Sequence, residues 1–215
     1  MIKQGLAAML AMSGISAFGA TLAASSFDVD SEGWIAQNGA TSFQWMATGG
    51  ESGGFVRATD ASGGLVWSFS APVAYLGDQG AAYGGSLSFF LRALPQANPF
   101  ELNYPDVKLV GATMTLAIDA GPSPGSGWTA YNVPLVANGQ WRIDSLDGPA
   151  ASAADLQAVL GSLSAVRIRG EFSNSVDVGG LDSVMLSSAA PVPEPATGAM
   201  LIAGLLGLSL LTRRR

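Results

Sequence analysis

From Ser26 to Ser188, apolar and polar residues alternate over short stretches that glycine repeatedly interrupts. The strictest case is Val166–Phe172, where Val166, Ile168, Gly170 and Phe172 fall on one side and Arg167, Arg169 and Glu171 on the other. A period of two is that of a strand with one face in a core and one in water. Glu171 beside Arg167 and Arg169 then reads as a solvated ion pair. In Leu87–Arg92 the residues Leu87, Phe89 and Leu91 share a face, and Asp106–Val110 and Thr113–Ile118 form a pair divided by Gly111 and Ala112. Further runs at Gly33–Ala36, Phe43–Ala47, Gly54–Thr59, Val66–Ser70, Trp128–Leu135 and Leu181–Leu186 bring the count to nine or ten. Short strands with Gly, Pro and Asn turns predict an all-β, antiparallel β-sandwich with Phe89, Leu91, Leu116, Ile118, Val166, Ile168 and Phe172 inside.

One segment has a different period. Leu156, Val159, Leu160 and Leu163 follow helical spacing, with Ser152 placed to cap the first turn and Asp155 three residues on. That is the order of a capping box, with Asp for Glu, and it predicts one short helix across an end of the sandwich. No internal repeat is visible, and 187–195 is the linker.

The ends follow other rules. Lys3 precedes an apolar stretch, 6–18, and small residues from Gly19 to Ala24 offer cleavage points after Gly19 or Ala23. This reads as a signal peptide over residues 1–24, with an uncleaved anchor as the alternative. At the other end, Pro193, Glu194 and Pro195 precede an apolar run, 198–211, and then Arg213, Arg214 and Arg215. Prolines keep the first part out of regular structure, the run forms a membrane helix, and arginines hold the cytoplasmic side. At fourteen residues the run is short of the ~20 that span a bilayer, which suits a transient signal better than a lasting anchor. The three parts, over 189–215, resemble the PEP-CTERM sorting signal of Gram-negative bacteria. That resemblance implies recognition of Pro193–Pro195 by an exosortase-type processing enzyme, cleavage nearby, and release to the envelope or extracellular matrix. A plain C-terminal anchor is the alternative.

Setting both ends aside sharpens the charge. Residues 25–195 hold six basic and sixteen acidic side chains, a net charge of −10. Such a domain repels nucleic acid. Cysteine and histidine are absent, so disulfides, common zinc sites, thiol nucleophiles and Ser-His-Asp chemistry are excluded.

Several fragments within 25–188 resemble the laminin B domain (laminin domain IV) in the order that family shows. They include Phe27–Trp34, Gly53–Asp60, Trp67–Asp78, Tyr83–Phe89, Asp106–Gly111, Trp128–Thr129, Ile168–Glu171 and Gly179–Val184. The resemblance implies a jelly-roll-like sandwich, similar in build to carbohydrate-binding modules, in a non-catalytic matrix protein. Cysteine-rich flanking modules are missing, so laminin's assembly role is not carried over.

Candidate chemistry is sparse. Asp28 and Asp30 alternate with Glu32 near the first strand, and Asp182 lies in the last. If those strands are neighbours, Asp28, Asp30 and Asp182, with Asp60, can offer oxygen ligands to a structural Ca²⁺, which takes about 6–8 of them. Asp182→Asn is then expected to abolish calcium-dependent stabilisation and to leave the metal-free protein almost unchanged. A solvated acidic face is the competing account. Trp45, Trp67, Trp128, Trp141 and Tyr83 are candidates for stacking on sugar rings. Trp34 and Trp67 sit in alternating contexts that favour the core, whereas Trp128 and Trp141 flank loops and are the better ligand-binding candidates. Glu101, Asp106 and Glu171 are the carboxylates open to glycosidase chemistry, but none lies in a recognisable motif. The chain thus reads as an exported, non-enzymatic binding or structural protein. Its expected partners are polysaccharide or other matrix proteins. Alternatives are a secreted carbohydrate-active enzyme and a permanently anchored envelope protein.

Overall fold

Each expected run overlaps a strand. The computed structural model describes residues 19–60, 66–94, 104–173 and 176–191, with 19–189 as one compact unit. Its strands are β1 (Thr21–Ser25), β2 (Ile35–Gln37), β3 (Ala40–Met46), β4 (Phe55–Asp60), β5 (Ser68–Ser70) and β6 (Ser86–Leu94). They continue as β7 (Val107–Val110), β8 (Thr115–Ile118), β9 (Thr129–Pro134), β10 (Arg142–Ile143), β11 (Ala165–Arg169) and β12 (Val178–Ser187). All pairings are antiparallel. One sheet runs β3-β4-β12-β6-β9 with β1 also on β12, and the other runs β10-β8-β7-β11-β5-β2.

The inward faces meet in a single cluster. All seven core residues expected from the alternation are buried in it. Trp67 fills the space between the sheets near one end, and glycine is required around it. A Cβ on Gly170 would lie 2.0 Å from one indole carbon, and a Cβ on Gly179 would lie 2.7 Å from another. The helix α1 (Ala153–Leu160) has the expected capping box. Ser152 Oγ accepts the Asp155 N–H at 3.2 Å, and Asp155 Oδ2 accepts the Ser152 N–H at 2.8 Å. Leu156, Val159 and Leu160 face the core.

Two strands were not expected. Strand β10 is only two residues long and gives no readable period. All of β1 but Ser25 lies inside the stretch read as signal peptide, and its pairing with the end of β12 moves the start of the domain from residue 25 back to about residue 19. The strand expected to come first, β2, lies in the other sheet beside β5, and it is the unexpected β1 that neighbours the last strand. The apolar stretch 6–18 and the sorting tail, with Pro193, Glu194, Pro195 and Arg213–Arg215, lie outside the described residues.

β12 changes partners partway along. Its first half lies between β4 and β6, and its second half between β1 and β6. The register shifts between Asp182 and Met185, and Ser183 takes a φ of +50° there. A non-glycine residue in that region marks a bulge held by its surroundings.

Candidate functional site

What holds the bulge is Asp182. It is fully buried, and its Oδ2 accepts the N–H groups of Glu51 (2.7 Å) and Ser52 (3.2 Å). Its Oδ1 accepts the Ser183 N–H at 2.6 Å. Burial still raises its pKa above the ordinary carboxylate value, against those hydrogen bonds. Asp182 thereby ties the 49–53 loop over the outer face of β12.

The four acids read as calcium ligands do not converge. Asp30 Oδ1 accepts the Glu32 N–H at 2.6 Å, and Glu32 accepts the Phe27 N–H at 2.6 Å, so this turn uses its own acids. The Asp60 N–H donates to the Asp177 carbonyl, which sets Asp60 five residues from Asp182 along β12. At ~3.3 Å per residue that is about 16 Å, beyond sharing one ion. Only Asp28 and Asp182 approach the same loop, near Gly53 and Gly50. Among the described residues no group of three or more acids is gathered to hold a metal.

The two tryptophans also part company. Trp141 is 0 % exposed and donates from Nε1 to the Pro134 carbonyl at 2.9 Å, so it is a core residue and no ligand platform. A loop-flanking position did not make it a surface one, because β10 folds back onto β8. Trp128 is half-buried and donates to the Gly49 carbonyl at 3.2 Å. The Arg92 guanidinium stands 4.5 Å from its ring and 4.4 Å from that of Phe55. This stack already occupies part of the indole. Trp34 and Trp67 are buried, as expected.

The second sheet overturns the solvated ion pair. Arg169 is 6 % exposed and Glu171 7 %, despite their outward positions. Arg169 pairs with Asp106 of the neighbouring segment at 3.6 Å and donates from Nε to the Glu171 carbonyl at 2.6 Å. The Glu171 carboxylate accepts the Trp67 N–H at 3.3 Å, and Asp106 Oδ2 accepts the Ala120 N–H at 2.9 Å. Burial pushes Asp106 up to about 6 and pushes Arg169 down. Both partners are driven toward neutrality, so desolvation outweighs their attraction. Glu171 and Asp177 are raised for the same reason. The Trp67 indole N–H counters the rise at Asp177, although neither Trp67 Nε1 nor Asp177 Oδ1 reaches a well-formed hydrogen bond. Asp106 and Glu171 serve backbone amides here, a structural use of carboxylates. Glu101 lies outside the described residues.

Beside this cluster a cavity of about 310 Å³ opens on the outer face of the second sheet. Asn38, Ser68, Tyr104, Lys108, Arg167 and Arg169 are among its lining residues. Lys108 and Arg167 are directly opposite each other across β7 and β11. Sequence reasoning missed the site because its residues come from separate strands. The signal available was that Lys108, Arg167 and Arg169 are half of the six cations in 25–195.

Comparison with known proteins agrees with this architecture. The model of the Laminin B (Domain IV) family matches residues 68–201. Human laminin subunit gamma-1 is 28% identical over 183 residues, which are 80% of this chain and 10% of that protein. The laminin-like protein lam-2 of Caenorhabditis elegans is 28% identical over 181 residues, 79% of this chain and 10% of that one. The mouse basement membrane-specific heparan sulfate proteoglycan core protein is 30% identical over 131 residues, 60% of this chain and 3% of its own. The chain thus spans a tenth or less of the length of these relatives. Among solved structures, the L4b domain of human laminin alpha-2 superposes with a TM-score of 0.53 at 14% identity, covering 68% of this chain and 97% of that domain.

Proposed function

Because the chain belongs to the laminin B (domain IV) family, we infer that it is an exported, non-enzymatic module of an extracellular matrix or cell surface. The family match over residues 68–201 carries this reading. One matching protein is, by its name, a basement-membrane proteoglycan core protein. The buried carboxylates support the non-enzymatic part, since Asp106, Glu171 and Asp182 are engaged by backbone amides. Matrix polysaccharide is the proposed partner, with other matrix proteins beside it.

In this reading the ends of the chain are addresses. Cleavage after Gly19 leaves β1 whole, whereas cleavage after Ala23 removes most of a strand that pairs with β12. The first is therefore the proposed site. β12 ends at Ser187, so Pro193–Pro195 follows the domain in sequence, and an exosortase-type enzyme cuts near it after a transient stage in the inner membrane. Mass spectrometry of the mature protein tests both cuts. An N-terminus at Ala20 and a C-terminus near Pro195 are expected, and a surface form still carrying Arg213–Arg215 would overturn the processing. Retardation on a polysaccharide panel without depolymerisation is the expected behaviour of the domain, and cleavage of any polymer would make it an enzyme.

A further inference from the structure

The fold sets two cations against each other without an acid between them. Lys108 and Arg167 are cross-strand partners in an antiparallel pair, where Cβ atoms are ~4.5–5.5 Å apart and like charges repel. Among the described residues neither forms an ion pair, although the domain around them is strongly acidic. Arg169 differs, because Asp106 answers its charge.

Unused polar atoms lie at the same place. Among the described residues Arg167 Nε, which is buried, has no hydrogen-bond partner, and neither has Ser68 Oγ, on a residue only 8 % exposed. Ser68 stands opposite Arg169 on β5, and both line the cavity. A buried polar atom without a partner is costly, so such groups at a cavity wall point to a ligand that completes them. Tyr104, 37 % exposed, supplies an apolar ring at the wall.

We propose that this cavity binds an anionic saccharide, a hexuronate unit within a polysaccharide chain. This rests on the reading of the protein as a polysaccharide-associated module. A carboxylate bridging Lys108 and Arg167 relieves their repulsion, and the guanidinium fork suits its geometry. Ring hydroxyls meet Ser68 Oγ and the Asn38 side chain, while the sugar's apolar face lies on Tyr104. The volume is at the lower end of ligand pockets, ~300–1,000 Å³, which suits a single ring better than a run of peptide. An acidic peptide shares the charge but not the ring of hydroxyls.

The test is affinity electrophoresis and calorimetry of the full exported domain, with chelator present, against polygalacturonate, neutral dextran and poly-glutamate. Polygalacturonate is expected to bind, and Lys108→Gln and Arg167→Gln each to weaken it roughly tenfold, or ~1.4 kcal/mol, with melting midpoints close to wild type. Trp128→Ala should leave the affinity unchanged. Wild-type affinity in both charge variants would overturn the site while leaving a polysaccharide-binding module in place. Binding of dextran alone would do the same. Poly-glutamate bound as tightly as polygalacturonate would replace the sugar by an acidic peptide. No retention on any polymer would remove the proposal together with the polysaccharide reading beneath it.

Discussion

Strands β6 and β11 read alike in sequence and end in different surroundings. Along β6, Leu87, Phe89, Leu91 and Ala93 are buried, and the residues between them are all half-buried. Along β11 and its extension, Val166 and Ile168 are buried likewise, but the polar positions split. Arg167 stays half-buried, whereas Arg169 and Glu171 are sealed in. Alternation fixes which face of a strand points to the core. It does not tell what packs on the other face, because that cover comes from distant segments such as Tyr104–Asp106. The second sheet therefore carries a charged layer outside its apolar one, and the largest mutational contrasts fall there.

Ile168→Asp should have the greatest effect, a loss above ~4 kcal/mol, because an unpaired carboxylate would enter the core. Arg169→Ala should cost about 3–5 kcal/mol, since it leaves Asp106 buried without its cation. Arg167→Ala, two residues earlier on the same face, should cost under ~1 kcal/mol. Denaturant titration of the three variants checks the order. Equal losses for the two arginine variants would erase the difference between the faces.

A second contrast sets Trp141 against Trp128. Trp141→Ala empties a fully buried site and should cost about 3–5 kcal/mol. Trp128→Ala removes a half-exposed ring and its stacking on Arg92, a loss of roughly 1–2 kcal/mol. A larger loss at Trp128 would mean that the loop it anchors through Gly49 is more than a cover.

The charged layer also sets a pH dependence whose sign is unusual. Asp106 has a folded pKa raised to about 6 from 3.8, so the folded state holds the proton more tightly than the unfolded one. Its contribution is complete below the ordinary carboxylate value and is lost as pH rises through about 6. Glu171, Asp177 and Asp182 shift in the same direction, while both shifted arginines stay charged. After discounting for the pairing with Arg169, lowering the pH from 7 to 5 should add about 1–2 kcal/mol and raise the melting midpoint by ~2–8 °C. A midpoint that falls over that interval would show that these acids are ionised in comfort. Asp106→Asn should flatten most of the slope.

The sandwich was legible because burial on one strand face leaves a period of two, and the helix because Ser152 and Asp155 carry a local capping signal. Seven core residues followed from that period alone. β1 was hidden because Thr21–Ser25 is built mostly of small residues, which equally describe a cleavage region. The acids and tryptophans were harder, since proximity to a loop says little about depth. Trp141 is pinned inward by the pairing of β10, which begins at the next residue, with β8. Asp60 and Asp182 look like companions of Asp28 until the register of β12 separates them.

The smallest expected shift is the response to calcium, and it turns on Asp182, the buried acid of the first sheet. Unlike Asp106 it has no cationic partner at contact among the described residues, and it accepts the N–H groups of Glu51, Ser52 and Ser183 at a bulge. Asp182→Asn keeps one acceptor oxygen but turns an NH₂ toward amide donors. A loss of about 1–3 kcal/mol is expected without any metal, in place of the near-neutral change that a pure ligand would give. Because those oxygens are occupied and Asp60 is remote, millimolar Ca²⁺ and chelator should give wild-type melting midpoints within ~2 °C of each other. A clear rise in Ca²⁺ that Asp28→Asn and Asp182→Asn both abolish would reverse this. The 49–53 loop would then be the wall of an ion site, and the backbone hydrogen bonds at Asp182 would be its apo form.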